Sequence, residues 1–333
     1  MGSEAAPWVA PGKLSSRGTT HFLLEGPEDG ELVAFIHGIG TYSFYFDGFA
    51  AFLRSQGYRT LRFDNLGMGF SQLPDVDAEG EADADVWRGQ GHVEQLRTLL
   101  AELQLLSRRV HIVGHSMGGA IATLYAHKYP ADVSSLTLLS PAGLLSPWAA
   151  PTTAKTAILR ALPECLLPGI LSGLVSDSRN IDRLRGFGDF ADPNHPENER
   201  VAQVLLRMHT NNPNAIKALF SCARFFPLWG CHAAASAVGA GPVPVLVLHG
   251  AADKTIPPRP TLDIWRKAML QSSGLGLGLG LSRAEEVPGA HAFFLEHAED
   301  NHARVAAFLS AVRAAEEAVA AAGSETRLPA GTK

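Results

Sequence analysis

Residues 110–120 read Val-His-Ile-Val-Gly-His-Ser-Met-Gly-Gly-Ala, and no other stretch limits the possible folds so tightly. Val110 to Val113 is an apolar, strand-like run that enters the string Gly114-His115-Ser116-Met117-Gly118. Ala120, Ile121, Leu124 and Tyr125 then recur at helical spacing. Strand, glycine-flanked serine and helix in that order predict a nucleophile elbow. Such a turn is tight enough to force the serine into a strained backbone conformation. Gly114 and Gly118 are then required, because side chains there would collide with the neighbouring strand and helix.

A nucleophilic Ser116 needs a general base, an acid to orient it, and an oxyanion hole. On an elbow of this kind acid and base follow the serine in chain order. Pro242 to His249 has a buried parallel-strand pattern, and Asp253 lies in the turn after it. Open α/β sheets place their chemistry at the carboxyl ends of strands, so Asp253 is the expected acid. The next strand-like run, Ser282 to Val287, leads into Pro288-Gly289-Ala290-His291, and His291 is the expected base. Asp263 and His297 compete less well, since both fall in helix-like stretches. The run Leu136 to Ser140 ends in Ser140-Pro141-Ala142 and offers no carboxylate. His115 is read as packing, because adjacent side chains at an elbow diverge. The oxyanion hole needs two backbone amides. Met117, after the nucleophile and at a helix start, supplies one. Ile39, on the loop His37-Gly38-Ile39-Gly40 after the run Leu32 to Ile36, supplies the other.

His37-Gly38, Phe63-Asp64-Asn65-Leu66-Gly67-Met68-Gly69-Phe70-Ser71, Gly114 to Gly119, Asp253 and His291 together resemble the α/β-hydrolase superfamily. Within it they look most like the monoacylglycerol-lipase and carboxylesterase group. The resemblance covers nearly the whole chain except its ends. Met68 stands where the Asp-x-x-Gly-x-Gly-x-Ser segment commonly carries Arg, which alters local ion pairing and none of the chemistry. The resemblance implies the α/β-hydrolase fold and acyl transfer.

Of the 333 residues 46% are apolar, enough for a large core in one or two domains. A net charge of −5 argues against nucleic acid as a partner. No apolar run is long enough for a membrane span. The first residues show no secretory signal or myristoylation pattern. Cys165, Cys222 and Cys231 are odd in number and form no metal-ligand spacing, so no metal is expected; reduced thiols suit a cytoplasmic protein, with an organelle as the alternative if a transit segment has been trimmed.

Strand-like runs at 32–36, 59–64, 110–114, 134–140, 243–249 and 282–287 alternate with helical patterns near 43–56, 90–106, 116–129, 259–270 and 296–318. That alternation predicts a mostly parallel central sheet with helices on both faces. Residues 1–143 and 241–318 are expected to form the core. Between 144 and 240, prolines such as Pro147, Pro163 and Pro196 break up short helical pieces, which predicts an inserted helical cap. Its apolar residues from Ile158 to Val175 either bury against the core or line an acyl pocket or touch lipid, and Phe220, Phe225, Phe226, Leu228 and Trp229 either line such a pocket or pack the cap. Ser272 to Leu281, rich in Gly-Leu repeats, is expected as a flexible loop, and 319–333 as a disordered tail.

The expected activity is cofactor-independent hydrolysis of a small-molecule carboxylic ester, with a lipid-like or monoacylglycerol-type ester favoured by the apolar cap. A C–C bond hydrolase or thioesterase with the same three residues is an alternative, as is a receptor-like protein that binds ligand with little turnover. Epoxide hydrolases and dehalogenases on this fold use an aspartate nucleophile, and Ser116 argues against both.

Overall fold

The computed structural model describes residues 12–14, 18–72, 86–144, 184–185, 189–212, 215–271 and 280–325. A two-stranded antiparallel ribbon, β1 (Gly12–Leu14) with β2 (Gly18–Thr20), precedes the main sheet. The first part of the core then runs β3 (Phe22–Glu25), β4 (Leu32–Ile36), α1 (Asp47–Ser55), β5 (Arg59–Phe63), α2 (Gly89–Glu102), β6 (Val110–His115), α3 (Met117–Lys128) and β7 (Val133–Leu139). Between β7 and β8 lie α4 (Pro196–Asn211), α5 (Ala215–Phe225) and α6 (His232–Gly239). The chain closes with β8 (Val245–Gly250), α7 (Pro258–Leu270), β9 (Arg283–Val287), α8 (Phe293–Glu296) and α9 (Ala298–Glu325).

Seven strands form one sheet in the order β3-β5-β4-β6-β7-β8-β9, parallel except for β3. The α/β reading and all six expected strands are present, with ends shifted by a residue or two. Strands β4, β6, β7 and β8 are buried along their whole length because helices cover both faces. Alternate side chains supply the two faces. Leu32, Ala34, Ile112, Val245 and Val247 pack with Leu96, Ile121 and Trp265. Val33, Phe35, Val113, Leu246 and Leu248 pack with Phe49, Leu53 and Phe308.

Strand β3 and the β1–β2 ribbon lie outside the expected set. Both are short: β3 lies at the sheet edge and its apolar run is only Phe22, Leu23 and Leu24, fewer residues than a buried strand usually shows. The last helix corrects another expectation: 319–325 belong to α9 and are not a disordered tail. Alanine has the highest helix propensity, and Ala320, Ala321 and Ala322 carry the helix on to its last turn, which includes Gly323. Residues 326–333, the Gly-Leu repeats at 272–279 and the apolar stretch 158–175 lie outside the described residues.

Helix α6 packs between α3 and α7, in the helical layer of the core. Phe226 is fully buried in the same cluster, with Phe225 and Leu228 against it, so these positions pack the core rather than face outward. Helix α4 buries Val201, Ala202, Leu205 and Met208 on the aromatic cluster of Tyr42, Phe44 and Tyr45. Met68 is buried in the first cluster, an apolar role that replaces the ion pairing open to an arginine.

The order of strands also places the site. From β4 the chain moves outward to β5 and then returns to the other side of β4 as β6. Where strand order reverses in this way, a crevice opens at the carboxyl ends of the strands. Ile36 pairs with Gly114 there, so the loops after β4 and β6 leave the sheet side by side.

Candidate active site

Ser116 joins β6 to α3 with φ 55° and ψ −119°, a left-sided conformation that costs a non-glycine residue of order 1–3 kcal/mol. The surrounding turn imposes it. A Cβ on Gly118 would lie 2.0 Å from the Ile36 carbonyl oxygen, and one on Gly114 would lie 2.4 Å from that of Gly118. The backbone of Ser116 is held on both sides, its amide donating to Leu139 (3.0 Å) and its carbonyl accepting from Ala142 (2.9 Å). The residue is 7% exposed.

Asp253 follows β8 in a tight turn, where its Oδ1 accepts from the Ile256 amide at 2.7 Å. His291, on the loop after β9, brings Nδ1 to 2.8 Å from Asp253 Oδ2. An ionised carboxylate only accepts, so Nδ1 carries the proton and Nε2 keeps its lone pair. A second imidazole stands on the same oxygen. His249 Nε2 lies 3.2 Å from Asp253 Oδ2 and donates to the Ile256 carbonyl at 2.8 Å. Burial works to raise the Asp253 pKa, but the His291 and His249 imidazoles outweigh it and hold the carboxyl well below the usual range. Burial pushes His291 down, and the carboxylates of Asp253 and, at longer range, Asp189 reverse this, leaving its pKa above the ordinary value.

No hydrogen bond joins Ser116 Oγ to the His291 ring, an arrangement that free enzymes often show. What brings the two loops together is His115. Its Nε2 donates to the His291 carbonyl at 3.0 Å, and the two rings lie 4.7 Å apart. The packing expected of His115 is present against Tyr45 and Phe294. Burial also keeps its pKa well below the ordinary value, so the ring is neutral and can donate from only one nitrogen. Its hold on the base loop was not visible in the sequence.

The loop after β4 runs directly over the serine. A Cβ on Gly38 would lie 3.1 Å from Ser116 Cβ and 3.2 Å from His115 Nδ1, tighter than an ordinary contact. His37 locks the loop by donating from Nδ1 to the Gly38 carbonyl (2.8 Å) and accepting at Nε2 from the Asn65 amide (2.8 Å). Asn65 Nδ2 donates to the His37 carbonyl at 3.1 Å. Asp64 fixes the 64–71 loop by accepting from the amides of Ser43 (2.8 Å) and Phe70 (2.9 Å). Among the described residues, the amides of Ile39 and Met117 have no protein acceptor. Met117 starts α3, where an N–H lacks an intrahelical partner and the helix dipole favours an anion.

The competitors lie elsewhere. Asp263 is exposed on α7, 3.7 Å from Arg266, and His297 is exposed between α8 and α9. Cys222 and Cys231 are buried, and desolvation pushes both thiols upward, Cys231 to about 12, so neither is a ready thiolate. Among the described residues no group of three His, Cys, Asp or Glu side chains is arranged to hold a metal ion. No helix among them is long and apolar enough to cross a membrane. Sequence reasoning missed His249 and Asp189. His249 had a signal, a histidine at the end of the strand that leads to the acid. Asp189 had none, because it meets the site only through the fold.

The family model for the alpha/beta hydrolase fold matches residues 31–298. Lipase 1 of Psychrobacter immobilis is 36% identical over 134 residues, covering 40% of this chain and 38% of that protein. Monoacylglycerol lipase abhd6-A of Xenopus laevis is 36% identical over 83 residues, covering 25% of each. These matches therefore span well under half the length of either relative. The crystal structure of a putative aryl esterase from Burkholderia cenocepacia superposes with a TM-score of 0.69 at 19% identity, over 92% of this chain and 99% of that one, a likeness of fold.

Proposed function

The chain belongs to the α/β-hydrolase family, and from that premise we propose that it is a serine hydrolase that cleaves carboxylic esters through an acyl-enzyme. The observation that carries this reading is the meeting of three loops at one rim of the sheet. The strained serine follows β6, the acid follows β8, and the paired imidazole follows β9.

In this reading His291 Nε2 takes the proton of Ser116 Oγ as that oxygen attacks the ester carbonyl carbon. Asp253 holds the ring in the tautomer with Nδ1 protonated and stabilises the imidazolium that forms. The oxyanion of the tetrahedral intermediate lies against the amides of Ile39 and Met117. The alcohol leaves with the proton from His291, and water activated by the same imidazole then frees the acid from Ser116. No cofactor takes part.

For substrate we propose a lipid-like ester of the monoacylglycerol type. The names of the lipase relatives and the apolar residues between 158 and 175 of the sequence support it. A turnover panel of esters, thioesters and acylglycerols of graded acyl length tests it. Octanoate esters are expected to turn over faster than acetate esters, and the reverse order would overturn the preference. Faster cleavage of thioesters, or of a C–C bond beside a carbonyl, would move the assignment to those chemistries on the same residues.

A further inference from the structure

Asp189 lies between β7 and β8, far in sequence from both the acid and the base, yet it is bonded to both of their loops. Its backbone takes φ 44°, which turns carbonyl and side chain toward different partners. The carboxylate Oδ2 accepts from the amides of Lys254 (3.2 Å) and Thr255 (3.1 Å) and from the Thr255 hydroxyl (3.0 Å), the residues that follow Asp253. The carbonyl accepts from the amide of His291 itself at 3.0 Å and from Ala292 at 3.4 Å. A second carboxylate repeats the connection from the other side. Glu296, on α8, accepts at Oε1 from the amides of Ala191 and Asp192, and at Oε2 from the Ala290 amide at 2.7 Å. Residues 189–192 are thereby fastened to the loop of the acid and to the loop of the base.

A carboxylate that caps loop amides usually does no more than steady the loop. Asp189 differs because the two groups it joins are the two that must hold one hydrogen-bond distance. We propose that Asp189 is a positioning residue for the Asp253–His291 pair, so that the segment inserted between β7 and β8 sets the geometry of the base. This rests on the reading that Asp253 and His291 serve Ser116.

The charged surroundings of His291 make the role measurable. Asp253 faces it at Nδ1, Asp189 adds a second negative charge nearby, and the His115 ring at 4.7 Å is held neutral by burial. Glu296 packs under the same loop through Ala290, and Lys254, beyond Asp253, is exposed. Removing the Asp189 charge therefore leaves His291 with less negative charge around it and lowers its pKa.

The test compares wild type with Asp189→Ala and Asp189→Asn, and with Asp263→Asn as an exposed control. Readouts are kcat and KM on an octanoate ester from about pH 5 to 9, and the proton resonance of His291 Nδ1–H in the hydrogen bond to Asp253. Asp189→Ala is expected to lower kcat about 100-fold, the scale of a small misplacement of a reacting group, with KM within about twofold. Asp189→Asn keeps an acceptor oxygen and loses the charge. It is expected to retain more activity, with the acid limb of kcat/KM moved to lower pH, and it carries the test if the alanine variant does not fold. Unchanged kcat and an unmoved His291 titration in Asp189→Asn would overturn the proposal, as would a loss confined to KM. The resonance separates this proposal from the ester-hydrolase reading. If wild type neither turns over esters nor reacts at Ser116, while the His291 signal still broadens or shifts in Asp189→Ala, that reading fails and the clasp stands.

Discussion

Ser116→Ala is expected to lower kcat on an ester by about 10⁶-fold, and His291→Ala by a similar factor. The double variant should lose no more than either single one. In the proposed mechanism nucleophile and base act as one unit, so the imidazole has nothing to deprotonate without the hydroxyl, and the hydroxyl without the imidazole is too weak a nucleophile. The residue left in Ser116→Ala would still bind substrate against the amides of Ile39 and Met117, which are backbone groups that the substitution spares. A small activity above the uncatalysed rate should therefore survive with KM little changed. The measurement is steady-state kinetics of the three variants beside wild type. Losses that multiply in the double variant would mean that the two side chains act independently.

Asp253→Asn is expected to cost about 10⁴-fold in kcat. A carboxamide at 253 can donate to His291 Nδ1, which moves the ring proton to Nε2 and aims it at the serine that the base must deprotonate. The pH profile should change as well. His291 has its pKa raised above 6.5 by the neighbouring carboxylates, against the effect of burial. The base works only when neutral, so in wild type kcat/KM should rise with pH through a midpoint above 6.5 and fall away in acid. Replacing Asp253 removes the larger of the two upward influences, so the residual activity of Asp253→Asn should persist to lower pH. A wild-type midpoint at or below the ordinary histidine value would contradict this electrostatic account.

Much of the fold was legible because the central strands are buried on both faces and read as plain apolar runs. The elbow was legible for a different reason. Gly114 and Gly118 answer to backbone atoms about 2 Å from where a Cβ would sit, and such steric demands leave residues in the sequence that cannot be substituted away. Strand β3 was hidden because one buried and three half-buried residues at a sheet edge carry little pattern. The end of α9 was hidden because an alanine-rich, solvent-exposed stretch looks the same whether it frays or stays helical. The candidate site divides in the same manner. Ser116, Asp253 and His291 follow strands in an order that a reader can search for. His115, Asp189 and Glu296 bond mostly to backbone atoms of other loops, and a bond to a backbone atom places no demand on the partner's side chain. Sequence carries no trace of it. His249 stands between these cases, near its partner in sequence, but with the closeness of Nε2 to Asp253 decided only by how the turn after β8 closes.

Covalent capture with a fluorophosphonate, followed by digestion and mass mapping, addresses the assignment of the nucleophile most directly. Stoichiometric addition to the peptide that carries Ser116 is expected, with no adduct in Ser116→Ala and much slower labelling in His291→Ala. A protein that stays unmodified, or that takes the adduct on another residue, would contradict it.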